Sequence, residues 1–131
     1  RGGEPMGSVR PRPVILDAGG LIAFERTDRR VLRLLELAEE LHVPAGVIGQ
    51  VWRNPARQVR LVRLLATDEV SVHQLDAEMA KAAGHLCGAT GTADVIDASV
   101  VLVARGHNGV VLTSDAGDMR RIDPRLDLVE C

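Results

Sequence analysis

Five aspartates in this chain, Asp17, Asp94, Asp97, Asp115 and Asp118, have the donor chemistry of a cation site. Asp17 closes the apolar run Val14-Ile15-Leu16, and Asp115 and Asp118 follow the run Val110 to Ser114. Asp94 and Asp97 open a helical-looking segment and stand three residues apart, so they share a helix face. At the carboxyl ends of parallel strands such acids converge on one crevice, the usual ligand site of α/β folds. Carboxylates that meet unpaired either keep protons or bind a cation, and oxygen donors suit a hard divalent ion. Each acid also fits a helix cap or first turn taken singly. Capping explains every pair separately, but not why all of them fall where one crevice would lie.

Positioning these acids takes strands alternating with helices. Pro13 to Leu16 reads as a continuously apolar strand, covered on both faces. A helix follows from about Leu21 to Arg26, and another from Asp28 to Leu41 with Val31, Leu34, Leu35, Ala38 and Leu41 on its apolar face. His42 to Pro44 is a short strand, Ala45 to Trp52 a helix broken by Asn54-Pro55, and Arg57 to Ala66 a helix with Val59, Val62 and Leu65 inward. Glu69 to His73 alternates like an edge strand. Helices over Asp76 to Cys87 and Asp94 to Arg105 flank a glycine-rich turn from Gly88 to Gly91, the second being closed by Gly106. Val110 to Thr113 is a fourth strand, Asp118 to Ile122 a short helix, and Leu126 to Val129 a fifth strand. Right-handed crossovers then give a three-layer α/β/α domain over residues 13–131 with a mostly parallel sheet of about five strands. Residues 1–12 carry no periodicity and read as a disordered leader.

A length of 131 residues, 46% apolar, suits one globular domain with its own core. No apolar run is long enough for a bilayer span, so no membrane role is expected. The net charge of −2 argues neither for nor against nucleic acid. Arginine outnumbers lysine fifteen to one, the bias of a GC-rich and bacterial coding sequence. Two cysteines make no disulfide framework, which points to a reducing cytoplasm, and Cys87 reads as a small core residue. Trp52 and Phe24 could stack on bases, though core or interface packing is the more ordinary use. His42, His73, His85 and His107 share no spacing, which gives a zinc or histidine-catalysed site no support. No Walker loop or dinucleotide fingerprint is present, and Gly19 rules out the paired aspartates of a dehalogenase-type phosphatase.

The stretches VILDAGGLIAF, DVIDASVVLVA and LTSDAGDMRRI resemble the first, third and fourth acidic motifs of the PIN domain, a metal-dependent nuclease fold. Their order is the same, and the likeness runs from Val14 to Val129. Within that fold the chain most resembles small bacterial VapC toxins, ribonucleases held in check by a VapB antitoxin. The resemblance implies Asp17, Asp97 and Asp115 as ligands of Mg²⁺ or Mn²⁺, with Asp94 and Asp118 in support. Thr113 or Ser114 would hydrogen-bond ligands or water. It implies hydrolysis of RNA, a VapB-like antitoxin partner, and a homodimer in which the face around Val59, Val62 and Leu65 could serve. Arg26, Arg53, Arg57 and Arg60 are candidates for RNA backbone contacts, or simply a solvated face.

One motif departs from the pattern. The run Pro44-Ala45-Gly46-Val47-Ile48-Gly49-Gln50-Val51-Trp52-Arg53 places Gln50 where the family usually carries a glutamate. An amide has the same shape without the charge, so it attracts a divalent cation less. Weaker metal binding is therefore expected, and a PIN-fold RNA-binding or regulatory module with little or no cleavage is the alternative.

Overall fold

The structure is a computed structural model and describes residues 11–131. Five strands form one wholly parallel sheet in the order β3-β2-β1-β4-β5. They are β1 (Val14–Leu16), β2 (Leu41–Pro44), β3 (Val70–His73), β4 (Val110–Thr113) and β5 (Leu128–Glu130). β1 lies at the centre and is buried throughout, which its unbroken apolar sequence requires. From β1 the chain steps outward through β2 to β3, then crosses back to β4 and β5 on the other side. That reversal opens a crevice beyond the carboxyl ends of β1 and β4, because the crossovers leave those two strands in opposite directions. Asp17 directly follows β1, and Ser114-Asp115 directly follow β4.

Among the described residues seven helices cover the two faces. α1 (Ala18–Glu25) packs with α2 (Arg29–Leu37), α3 (Ala45–Val51) and α4 (Val59–Leu65). α5 (Ala77–Thr90), α6 (Val95–His107) and α7 (Ala116–Ile122) pack together on the other side. The main core helix is α6, which buries Ala98, Ser99, Val100, Val101, Val103 and Ala104 against β1, β2 and β4. Gly20 lets α1 come close to β4, since a β-carbon there would lie 2.7 Å from the Leu112 carbonyl oxygen. Cys87 is buried in the core.

Several boundaries differ from those expected of the sequence. α2 stops at Leu37, and Leu41 belongs to β2, where it pairs with both Val14 and Val70. Its helical spacing was coincidental, and strand pairing overrode it. α5 runs on through Gly88 to Thr90, and α6 runs through Gly106 to His107. What ends each helix is a residue in the left-handed region, Gly91 at φ 68° and Asn108 at φ 50°. In α4 the buried residue is Leu61, whereas Val59 is largely exposed, so the inner face differs from the Val59-Val62-Leu65 reading. Residues 1–10 of the expected leader lie outside the described residues. Arg12 is held, bonding the Asp127 carboxylate at 2.6 Å and the Asn108 carbonyl oxygen. Among the described residues no single helix is long and apolar enough to cross a membrane.

Candidate active site

Three of the five aspartates are helix caps, and the three helices point their amino ends at one place. The Asp17 carboxylate accepts the Gly20 N–H at 2.9 Å, Asp94 accepts the Asp97 N–H at 2.9 Å, and Asp115 accepts the Asp118 N–H at 3.3 Å. Capping and clustering are therefore both true. Each cap holds its acid at the start of α1, α6 or α7, and the switch in strand order brings those starts together. Asp97 and Asp118 lie in the first turns of α6 and α7. Together with Asp94, Thr92 and Arg121 they line a cleft of about 220 Å³. Gly46 of α3 lies against Ile96, which seats α3 beside the start of α6.

Electrostatics mark the same group. Burial, and then the charges of Asp94, Asp17, Asp118 and Asp115, push the Asp97 carboxyl up to about 7. Burial also raises Asp17, against the pull of its hydrogen-bonding contact with Thr113 and the backbone N–H groups of Gly20 and Gly19. Asp118 is raised by its hydrogen bond with Asp115 and by that neighbour's charge. Among the described residues only Arg121 offers a compensating cation, 3.5 Å from Asp118. Thr113 is fully buried, lies against Asp17, and accepts the Asp115 N–H at 2.9 Å. It organises the acids from beneath rather than facing outward, where a contact with RNA would have to be made.

A profile of the PIN domain matches residues 14–124. The chain belongs to the PIN-domain family. No curated protein sequence matches it. Among solved structures, VapC20 of Mycobacterium tuberculosis, described as a sarcin–ricin loop cleaving toxin, superposes with a TM-score of 0.67 at 15% identity, covering 90% of this chain and 99% of that one. VapBC2 of Rickettsia felis, bound to a DNA fragment from its promoter, gives 0.65 at 14%, covering 91% and 98%. A toxin–antitoxin complex from Klebsiella pneumoniae gives 0.67 at 16%, covering 88% and 95%. At such identities the likeness is one of fold.

The other sequence-predicted residues of this PIN domain are placed less centrally. Gln50 is exposed on α3, one turn beyond Gly46 and on the same helix face. Arg26, Arg53 and Arg57 are exposed, and Arg53 folds back onto the carbonyl oxygens of Gly49 and Trp52 at 3.0 and 2.7 Å. Arg60 stacks over the Phe24 ring at 5.1 Å. Phe24 packs on the core while Trp52 is exposed, and Ser114 is exposed beside Gly19. Arg121 joins the site through Asp118, and its spacing of three from that acid on a helix is the one sequence signal of it. The histidines share no such spacing. His42, His73 and His107 converge in space, each from a different element, so no sequence spacing could have linked them.

Proposed function

We propose that this PIN domain is a metal-dependent endoribonuclease and the toxin of a toxin–antitoxin pair. The observation that carries the reading is the convergence of Asp17, Asp94, Asp97, Asp115 and Asp118 at the amino ends of α1, α6 and α7, with burial and these neighbours pushing the Asp97 carboxyl up to about 7. A cluster this poorly compensated fits a divalent cation, and an all-carboxylate donor set suits Mg²⁺ or Mn²⁺. Asp17, Asp97, Asp115 and Asp118 would hold the ion, with Asp94 supporting from the cap of α6. When bound, such an ion supplies Lewis acidity, lowering the pKa of a water and offsetting charge on a phosphate. The protein's own part is to hold these acids rigidly, through Thr113 and the helix caps. Arg26, Arg53, Arg57 and Ser114 are exposed and available to the RNA backbone. The antitoxin reading rests on the fold neighbours, two of which are complexes of a VapBC or toxin–antitoxin type.

A second reading has one observation in its favour. Gln50 is uncharged and exposed where the second motif usually carries a glutamate, which favours a PIN domain that binds RNA without cutting it. Incubation of structured RNA with the purified protein and Mg²⁺ separates the two. Cleavage that EDTA stops and that Asp17→Asn or Asp97→Asn abolishes, with the fold intact, supports the nuclease. RNA binding without cleavage, also in Gln50→Glu, supports the binding module.

A further inference from the structure

A second cluster of metal-binding side chains stands away from the acids. His42 of β2 and His73 of β3 occupy the same face of the sheet, because His42 pairs with Ser71 and Pro44 with His73 in the parallel register. His107, the last residue of α6, stacks on His42 with ring centroids 4.0 Å apart. His107 is ten residues from Asp97 along that helix, or about 15 Å. Each of the three rings offers one nitrogen, and the three atoms lie within 4.8 Å of one another. Nitrogens around a tetrahedral zinc, at about 2.0–2.1 Å from the metal, sit about 3.4 Å apart, so the His42–His73 pair at 2.8 Å would open by about 0.6 Å and the widest pair would close by at most about 1.4 Å. His107 is exposed, so the movement falls on a solvent-facing ring.

Two further features suit a metal ligand set. His42 Nε2 lies 3.1 Å from the Glu40 carboxylate, leaving Nδ1 directed at His73 Nε2 at 2.8 Å. A carboxylate that accepts the Nε2–H fixes the tautomer and leaves Nδ1 with its lone pair, the usual support of a metal-bound histidine. That lone pair accepts the His73 Nε2–H, which a metal would replace as the His73 proton moves to its Nδ1. His42 is almost fully buried, and burial pushes both it and His73 below the ordinary histidine range. The side by His107 is open to solvent, where a water can complete the coordination.

We propose that His42, His73 and His107 form a three-histidine site for a borderline first-row cation of the Zn²⁺ class, separate from the carboxylate cluster. Imidazole favours Zn²⁺, Co²⁺, Ni²⁺ and Cu²⁺ over Mg²⁺, so the two sites differ in the ions they select. An ion there would tie the sheet edge formed by β2 and β3 to the end of α6.

The test is titration of untagged protein with Zn²⁺, and with Co²⁺ followed by its visible absorption, in saturating Mg²⁺. One ion is expected per chain, with the strong bands of low-coordinate cobalt. His107→Ala, at an exposed position, should weaken binding by about 100-fold, and Glu40→Gln by about 10-fold. Asp97→Asn should leave it unchanged. Zn²⁺ should also raise the Tm of the wild type but not of His107→Ala. Absence of binding at micromolar metal overturns the proposal, as does binding that His107→Ala and His73→Ala leave intact or that Asp97→Asn removes.

Discussion

The Thr113 hydroxyl lies against the Asp17 carboxylate at the floor of the crevice. The same oxygen accepts the Asp115 N–H at 2.9 Å. One buried side chain from β4 thereby positions acids that follow two different strands, β1 and β4. Its contact favours ionised Asp17, while burial works the other way.

Thr113→Val keeps the shape and removes both interactions. It leaves the Asp115 N–H without its acceptor, which should cost about 1–3 kcal/mol of stability. Mg²⁺ affinity should fall about 10- to 100-fold, as when a supporting partner of a ligand is lost. Thr113→Ser should stay close to wild type. Denaturant unfolding and calorimetric Mg²⁺ titration measure the two effects, and wild-type affinity in the valine variant would remove Thr113 from the site.

Asp97 makes the metal-free protein pH-sensitive. Its folded pKa of about 7 exceeds the unfolded 3.8, so the folded chain holds this proton more tightly. Stability from this group therefore falls as pH rises from about 4 to about 7 and is level above that. His42 and His73, lowered from 6.5, contribute a slope of opposite sign below that pH. Comparison with Asp97→Asn isolates the carboxyl. In EDTA at pH 8 the variant should be more stable than wild type by about 1–2 kcal/mol after discounting for solvent screening, or about 3–8 °C in Tm. Mg²⁺ should stabilise the wild type more than the variant.

Gln50→Glu restores the charge that the second motif lacks. If α3 presents residue 50 to the acids, Mg²⁺ affinity should rise about tenfold, or about 1.4 kcal/mol, and RNA cleavage with it. Unchanged affinity would place residue 50 outside the metal's reach.

Gly19→Ala should disturb the site without touching an acid. An added β-carbon would overlap the Ser114 side chain and lie 2.8 Å from its backbone nitrogen. Either α1 or the turn after β4 must shift, costing about 1–3 kcal/mol. Thermal unfolding should show that loss together with reduced Mg²⁺ affinity, since Asp17 and Asp115 flank the two residues. A Tm equal to wild type would show that the turn yields freely.

Much of this molecule is readable from residue order. Val14-Ile15-Leu16 and Val110 to Thr113 announce buried parallel strands, and the acids that follow them mark the crevice, because strand ends and helix starts are local in sequence. Helix ends were harder to read. Gly88 and Gly106 resemble stops, yet the chain continues to Gly91 and Asn108, since the residue that actually enters the left-handed region depends on packing. Leu41 likewise fits a helical stripe but is claimed by Val14 and Val70.

Tertiary structure alone decided the rest. The order β3-β2-β1-β4-β5 turns three separate helix caps into one acidic cluster, and burial singles out Asp97 among them as the carboxyl raised to about 7. The meeting of His42, His73 and His107 depends on a strand register and on the length of α6, neither of which any local pattern encodes. Residue order carries the types of group available, whereas their charge interactions fall off with distance in space and so follow the fold.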